Sequence, residues 1–177
     1  MSVFMDAMLK RRSMYNITKD SPVPDEELAQ MIQDLVKNLP TALNMQNTCA
    51  VLLLKDAHQK LWGIVFDTLK PNLKPERVEK TRAKIDSFAA GHGTVLFFND
   101  EAMMQQVMEE NPRWADNMPP WALQHNGMLQ VSVWAALEER GLGASLQHYN
   151  PVIDDTVKAT WGLPAHWKLL AQMPFGT

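Results

Sequence analysis

Arg11-Arg12-Ser13 sets two guanidinium groups and a hydroxyl side by side. Such a cluster can make several charge-assisted hydrogen bonds to a phosphate. A second group is Pro40-Thr41-Ala42-Leu43-Asn44-Met45-Gln46-Asn47. Its amides and hydroxyl are uncharged donors and acceptors among apolar neighbours, which suits a flat heteroaromatic ring with polar edges. A third, Gly141-Leu142-Gly143-Ala144-Ser145, is small and flexible enough for backbone amides to approach a ligand closely. Each has a plainer explanation. Cations suit a helix C-terminus, amide-rich stretches make ordinary turns, and Gly141 suits a helix cap, although Gly143 is then left over. Taken singly, the helix end and the turn are the better explanations of the first two groups, and the cap is an equal one for Gly141.

The remaining inventory is short. His92, between Gly91 and Gly93, could serve as an acid, but a loop histidine with no catalytic role is the better reading. The five histidines have no metal-ligand spacing among themselves or with Cys49, so no metal site is expected. There is no GxxxxGK[ST] loop and no GxSxG elbow, and Gly141-Leu142-Gly143 runs into Ala144-Ser145-Leu146, which is not GxGxxG. An enzyme with these residues takes its chemistry from an organic cofactor, with no side chain catalytic in its own right.

These groups need elements to hold them. Apolar residues at helical spacing predict helices over Ser2–Lys10, Pro24–Leu39, Asp56–Leu69 and Pro75–Ala90. Asn99 or Asp100 is placed to cap a further helix through Met103, Met104, Val107 and Met108. Pro119–Arg140 predicts the longest helix, apolar nearly all round, as in a central or interface helix. Short apolar runs predict strands at Ala50–Leu54, Thr94–Phe98, Ala144–His148 and Lys168–Met173, with a short helix at Asp154–Trp161. The class is α+β, a small sheet wrapped in helices.

Composition agrees with one globular domain: 177 residues, 46% hydrophobic and 21% charged. The net charge of −3 offers no basic excess for nucleic acid. The longest apolar run, Cys49 to Leu54, is far short of the roughly twenty residues of a membrane span. No signal-peptide core opens the sequence, and a single cysteine suits a reducing compartment. A soluble, cytoplasmic protein is expected.

In this order, the segments resemble the nitroreductase family of flavin enzymes, especially its short Hbn-like subgroup, which includes the copper-induced nitroreductases. The resemblance covers nearly the whole chain. Arg11-Arg12-Ser13 is shared family-wide. More specific are the runs Gly91 to Phe98, Gly141 to Pro151 and Trp167 to Gly176. The resemblance implies a nitroreductase-like α+β fold, with a small central, mostly antiparallel sheet surrounded by helices. Residues 1–177 would form one FMN-binding domain, in a homodimer with two FMN sites at the subunit interface.

Arg11, Arg12 and Ser13 would then grip the FMN phosphate and ribityl chain. Pro40, Thr41, Asn44 and Gln46 keep the family's loop pattern and would line the isoalloxazine ring, partly from the opposite subunit. Leu142 and Gly143 would cover its other side. Tyr15 stands where a basic residue is common, and Asn47 stands in place of a second proline. Relatives usually continue beyond the Met-Pro-Phe-Gly segment with a tail that wraps the partner, whereas this sequence stops at Thr177. The implied activity is a two-step exchange. NADH or NADPH reduces the flavin, and a nitroaromatic or quinone acceptor then takes its place. The alternatives are a flavin-binding regulator or redox sensor with little turnover, and a structural dimer without flavin.

Overall fold

A computed structural model describes residues 2–177. The chain begins with helix α1 (Val3–Lys10), whose first turn is capped by the Ser2 hydroxyl accepting from the Met5 N–H at 3.3 Å. Helix α2 (Asp25–Asn38) opens with Asp25, Glu26 and Glu27, where the helix dipole favours negative charge. Strand β1 (Thr48–Leu54) starts earlier than its apolar run suggests, because Thr48 pairs with Asn99. It passes directly into α3 (Lys55–Leu69), a change of direction that Lys55 absorbs at φ 52°.

Helix α4 (Pro75–Ala89) starts with proline at its first position, as expected, and buries Ile85 and Phe88. After β2 (Gly93–Asp100), Asp100 caps α5 (Glu101–Glu110) by accepting from the Met103 N–H at 2.9 Å. Helix α6 (Met118–Glu139) is the longest, and Gly141, at φ 75°, turns the chain out of it. Strand β3 is only Gly143–Ala144. The longer strand read over Ala144–His148 shrinks because the ladder breaks after Ala144: the Ser145 N–H still donates to the Pro174 carbonyl at 3.2 Å, and the next pairing is the isolated Gln147–Gln172 bridge. Helix α7 (Asp154–Trp161) and strand β4 (Trp167–Gly176) complete the order.

The four strands form one antiparallel sheet in the order β1-β2-β4-β3. Both faces are covered, so β2 is apolar on both sides of its pleat. Val95, Phe97, Ala171, Met173 and Phe175 pack against α2 and α6. Leu96, Phe98 and Leu169 pack against α3, α4 and α7. Burying a side chain such as Phe97 or Phe98 contributes roughly 1.5–3 kcal/mol relative to exposure. Helix α6 is tied to the sheet by Asn126, whose amide donates to the Phe98 carbonyl and to Asn99 Oδ1, both at 3.0 Å. Among the described residues no helix is long and apolar enough to cross a membrane.

Candidate functional site

The basic run at the end of α1 is divided among three partners. Lys10 pairs with Asp6 at 2.8 Å. Arg12 donates from Nη1 to the Leu9 and Arg11 carbonyls, both at 2.7 Å, satisfying the open end of the helix. Arg11 lays its guanidinium over the Trp134 ring, 4.5 Å from the centroid. Among the described residues the Arg11 guanidinium has no hydrogen-bond or ion-pair partner.

From there the chain runs beside β3. Ser13 forms a parallel bridge to Ala144, and the Met14 N–H donates to the Ala144 carbonyl at 2.9 Å. This accounts for Gly143. A Cβ there would lie 2.6 Å from Met14 Sδ and 3.0 Å from Met14 Cβ, so glycine lets the two segments close up without displacing the Met14 side chain. The structure thus brings Ser13 and Gly143 together. Leu142 sits between them and α6 with its side chain wholly buried in the core, so it offers the site backbone only.

The loop from Thr41 to Asn47 forms a second group. The Thr41 hydroxyl accepts from the Gln46 N–H at 3.1 Å and closes it. Leu43, Asn44 and Gln46 all have φ near +50°. Asparagine tolerates this region, but leucine and glutamine are strained in it. The strained geometry leaves Asn44 and Gln46 exposed while Met45 is buried. The loop is pinned to α6 by the Ala42 N–H, which donates to His125 Nε2 at 2.9 Å. That nitrogen must therefore be unprotonated, in agreement with burial, which lowers the His125 pKa.

In and against the loop, Asn47, Thr48 and His125 carry buried side-chain polar atoms with no partner among the described residues. Asn47 is fully buried with neither amide atom paired, and the buried Thr48 Oγ1 is likewise alone. Thr48, Thr41 and Gln46 line a groove of about 230 Å³ with Val36, Lys37 and Leu39. It runs into a neighbouring space of about 350 Å³ against β1 and Trp167. Buried polar atoms without partners are rare in folded chains, so Asn47 and Thr48 mark the loop as a place for a polar ligand group or ordered water. Thr48 was hidden from sequence reasoning as the polar head of an apolar run. Trp134 carried no local signal.

Among the described residues no hydrogen bond joins the two groups, but α6 anchors both. His125 holds the loop, and Trp134, nine positions on (134 minus 125), holds Arg11. That is roughly 13 Å along a helix axis.

The other candidates lie elsewhere. His92 bridges the Lys19 carbonyl and Asp25 Oδ1, both at 2.8 Å, and so ties α2 to the start of β2. Burial pushes the Cys49 thiol up to about 11, which keeps it from acting as a thiolate. Among the described residues no group of three or more His, Cys, Asp or Glu is placed to hold a metal ion.

The family model described as nitroreductase family matches residues 8–177. The chain is 30% identical over 175 residues to nitroreductase FRM2 of Saccharomyces cerevisiae, covering 98% of this chain and 86% of the relative. Among solved structures, nitroreductase CinD from Lactococcus lactis in complex with nicotinic acid superposes with a TM-score of 0.91 at 42% identity, over 98% of this chain and 88% of that one. The same enzyme in complex with 4-nitrophenol gives 0.87 at 41% identity over the same shares. A nitroreductase from Desulfitobacterium hafniense with bound FMN gives 0.70 at 14% identity, over 99% of this chain and 89% of that one, a likeness of fold.

Proposed function

We propose that this chain, which belongs to the nitroreductase family, is an FMN-dependent NAD(P)H oxidoreductase acting on nitroaromatic or quinone acceptors as a cytoplasmic homodimer. Residues 1–177 are read as one FMN-binding domain. The observation that carries this reading is the Arg11 guanidinium, without a polar partner among the described residues, beside the segment where Ser13 bridges Ala144 and Met14 packs on Gly143.

The residues present fit FMN. Arg11 has all its N–H donors available for a phosphate, and the exposed Ser13 hydroxyl adds another. Exposed amides at Asn44 and Gln46, with the unpaired Thr48 Oγ1 beside them, match a ring whose edge both donates and accepts. When bound, FMN would supply hydride exchange between NADH or NADPH and the acceptor.

The protein's part is to bind and orient. Arg11, Arg12 and Ser13 would hold the phosphate end. Thr41, Asn44 and Gln46 would face the ring, and the close contact at Gly143 would let the Leu142–Gly143 backbone approach it. No side chain is assigned a proton, and water serves as the source. Relatives support the substrate class: CinD is seen with 4-nitrophenol and with nicotinic acid, the latter related to the nicotinamide of the proposed donor.

The visible spectrum of the purified protein tests the reading, followed by NADH addition without oxygen. Yellow protein that bleaches, and recovers its colour when a quinone or nitroaromatic is added, is expected. Flavin that stays oxidised with either NADH or NADPH would favour a sensor. Failure to take up FMN would leave a scaffold.

A further inference from the structure

We propose that Trp134 is a positioning residue: by stacking under Arg11 it holds that guanidinium ready for the phosphate of the flavin nucleotide. This rests on the FMN reading above and adds a residue to it.

Three neighbouring cations end α1, and among the described residues Arg11 is the one whose charged group has no polar partner. Lys10 is paired with Asp6 and Arg12 with two helix carbonyls. Arg11 has no polar partner among the described residues, yet its side chain is placed by the indole ring 4.5 Å below it. A guanidinium held by its charge against an aromatic ring spends no hydrogen bond on that contact, so its N–H fork stays available to match a phosphate. Trp134 is a firm support, because its ring is partly buried against the main core. Among the described residues its buried indole N–H has no partner, so the hydrogen-bonding end of the side chain is not what fixes it in place. What tryptophan adds here over leucine is therefore its face, the strongest aromatic partner for a cation. Without that support, Arg11 would have to be immobilised at the moment of binding.

The test compares FMN with riboflavin, which has the same ring and no phosphate. Apo-protein is titrated with each. Trp134→Leu should weaken FMN roughly three- to tenfold, the scale of one cation–aromatic contact, and leave riboflavin unchanged. Trp134→Phe should restore most of the loss. In an Arg11→Ala background, Trp134→Leu should have no further effect on FMN.

Equal losses for both ligands, or a loss that persists without Arg11, would show that Trp134 acts through packing and would overturn the proposal. If Trp134→Leu does not fold, parent protein made with fluorinated tryptophan replaces it, since fluorine weakens the ring's attraction for a cation with little change in shape. The FMN-to-riboflavin affinity ratio should then fall in the parent and not in fluorinated Arg11→Ala or fluorinated Trp134→Phe, which lack one member of the pair; an unchanged ratio in the parent overturns the proposal. A parent that binds the two ligands equally would instead remove the phosphate grip itself, a failure of the underlying reading that is seen before any variant is made.

Discussion

Arg12 donates twice to the carbonyls that close α1, while Arg11 keeps its N–H groups free over Trp134. Alanine at the two positions should therefore have different effects. Arg11→Ala removes charge-assisted hydrogen bonds worth roughly 1.5–3 kcal/mol each, so FMN affinity should fall about ten- to a hundredfold. Arg12→Ala should lower the melting temperature of apo-protein and weaken FMN less. FMN titrations and thermal melts of both variants decide this, and equal affinity losses would return the arginines to equivalent roles. Asn44 needs a more careful substitution. At φ 52° a leucine would strain the turn as well as remove the amide, whereas glycine removes the amide and accepts the geometry. Asn44→Gly should keep thermal stability, and at saturating FMN its flavin potential and turnover should both shift. Parent-like values for both would remove Asn44 from the site. The residue types of these groups were legible in the sequence. The unequal use of the two arginines was not, because it depends on an aromatic ring more than a hundred positions away.

At the scale of elements, periodicity placed helices such as α2 well because their buried faces are one-sided, while α6 was placed by its long apolar run between Pro119 and Gly141. Helix α7 has the bounds that its pattern implies. The strands were less exact, since polar residues such as Thr48, Asn99 and Asp100 extend the ladder beyond the apolar runs. The side-chain ties between elements could not be read, being made by single residues such as His58, His92, His125 and Asn126 with no local pattern. His58 is buried and its Nε2 meets the Ala89 carbonyl at 3.1 Å, so this nitrogen carries the proton while Nδ1 accepts from Thr94 at 2.9 Å. Burial is the main cause lowering its pKa, and the same cause acts on His125. The folded state thus refuses protons that the unfolded chain accepts. Their contribution is complete above the ordinary histidine value of about 6.5 and is lost as pH falls through and below it. Asp25 acts at lower pH. The Lys55 ammonium first, and His92 second, hold its carboxyl below the usual value, so its contribution is present above about 4 and fades toward the depressed value. The melting temperature should therefore fall on acidification from pH 7, first through the histidines and then through Asp25. His58→Gln should lower the melting temperature at pH 7 and flatten the slope between pH 7 and 5. An unaltered slope would take His58 out of the acid response. Protonation of His125 also removes the acceptor for the Ala42 N–H, so the Thr41–Gln46 loop should become more susceptible to proteolysis as pH falls.

For the whole molecule, the sequence shows apolar surface beyond what one core needs, and the structure shows where it lies. Val3 and Phe4 on α1 are 64% and 67% exposed, and Leu123 on α6 is 57% exposed. Further half-exposed apolar side chains on the same helices include Leu9, Met128 and Val131. Single exposed apolar residues are ordinary, but two packed helices that both present them suggest a face that is covered in the assembled protein. A groove of about 330 Å³ between α1, α2 and α6 adds to that face, lined by Val3, Phe4, Ala7, Leu35, Ala135 and Ala136. The proposed homodimer buries these helices against a second copy. Sedimentation at micromolar concentration should give about twice the 20.1 kDa chain mass. Phe4→Glu together with Leu123→Glu places charge on the face without touching the core, because both side chains are exposed in the single chain. The double variant should sediment as a monomer, retain its helical circular dichroism and lose FMN, since the site is read as lying between two chains. Monomeric double variant with parent FMN affinity would place the whole site within one chain. A variant that stays dimeric would move the interface to another face.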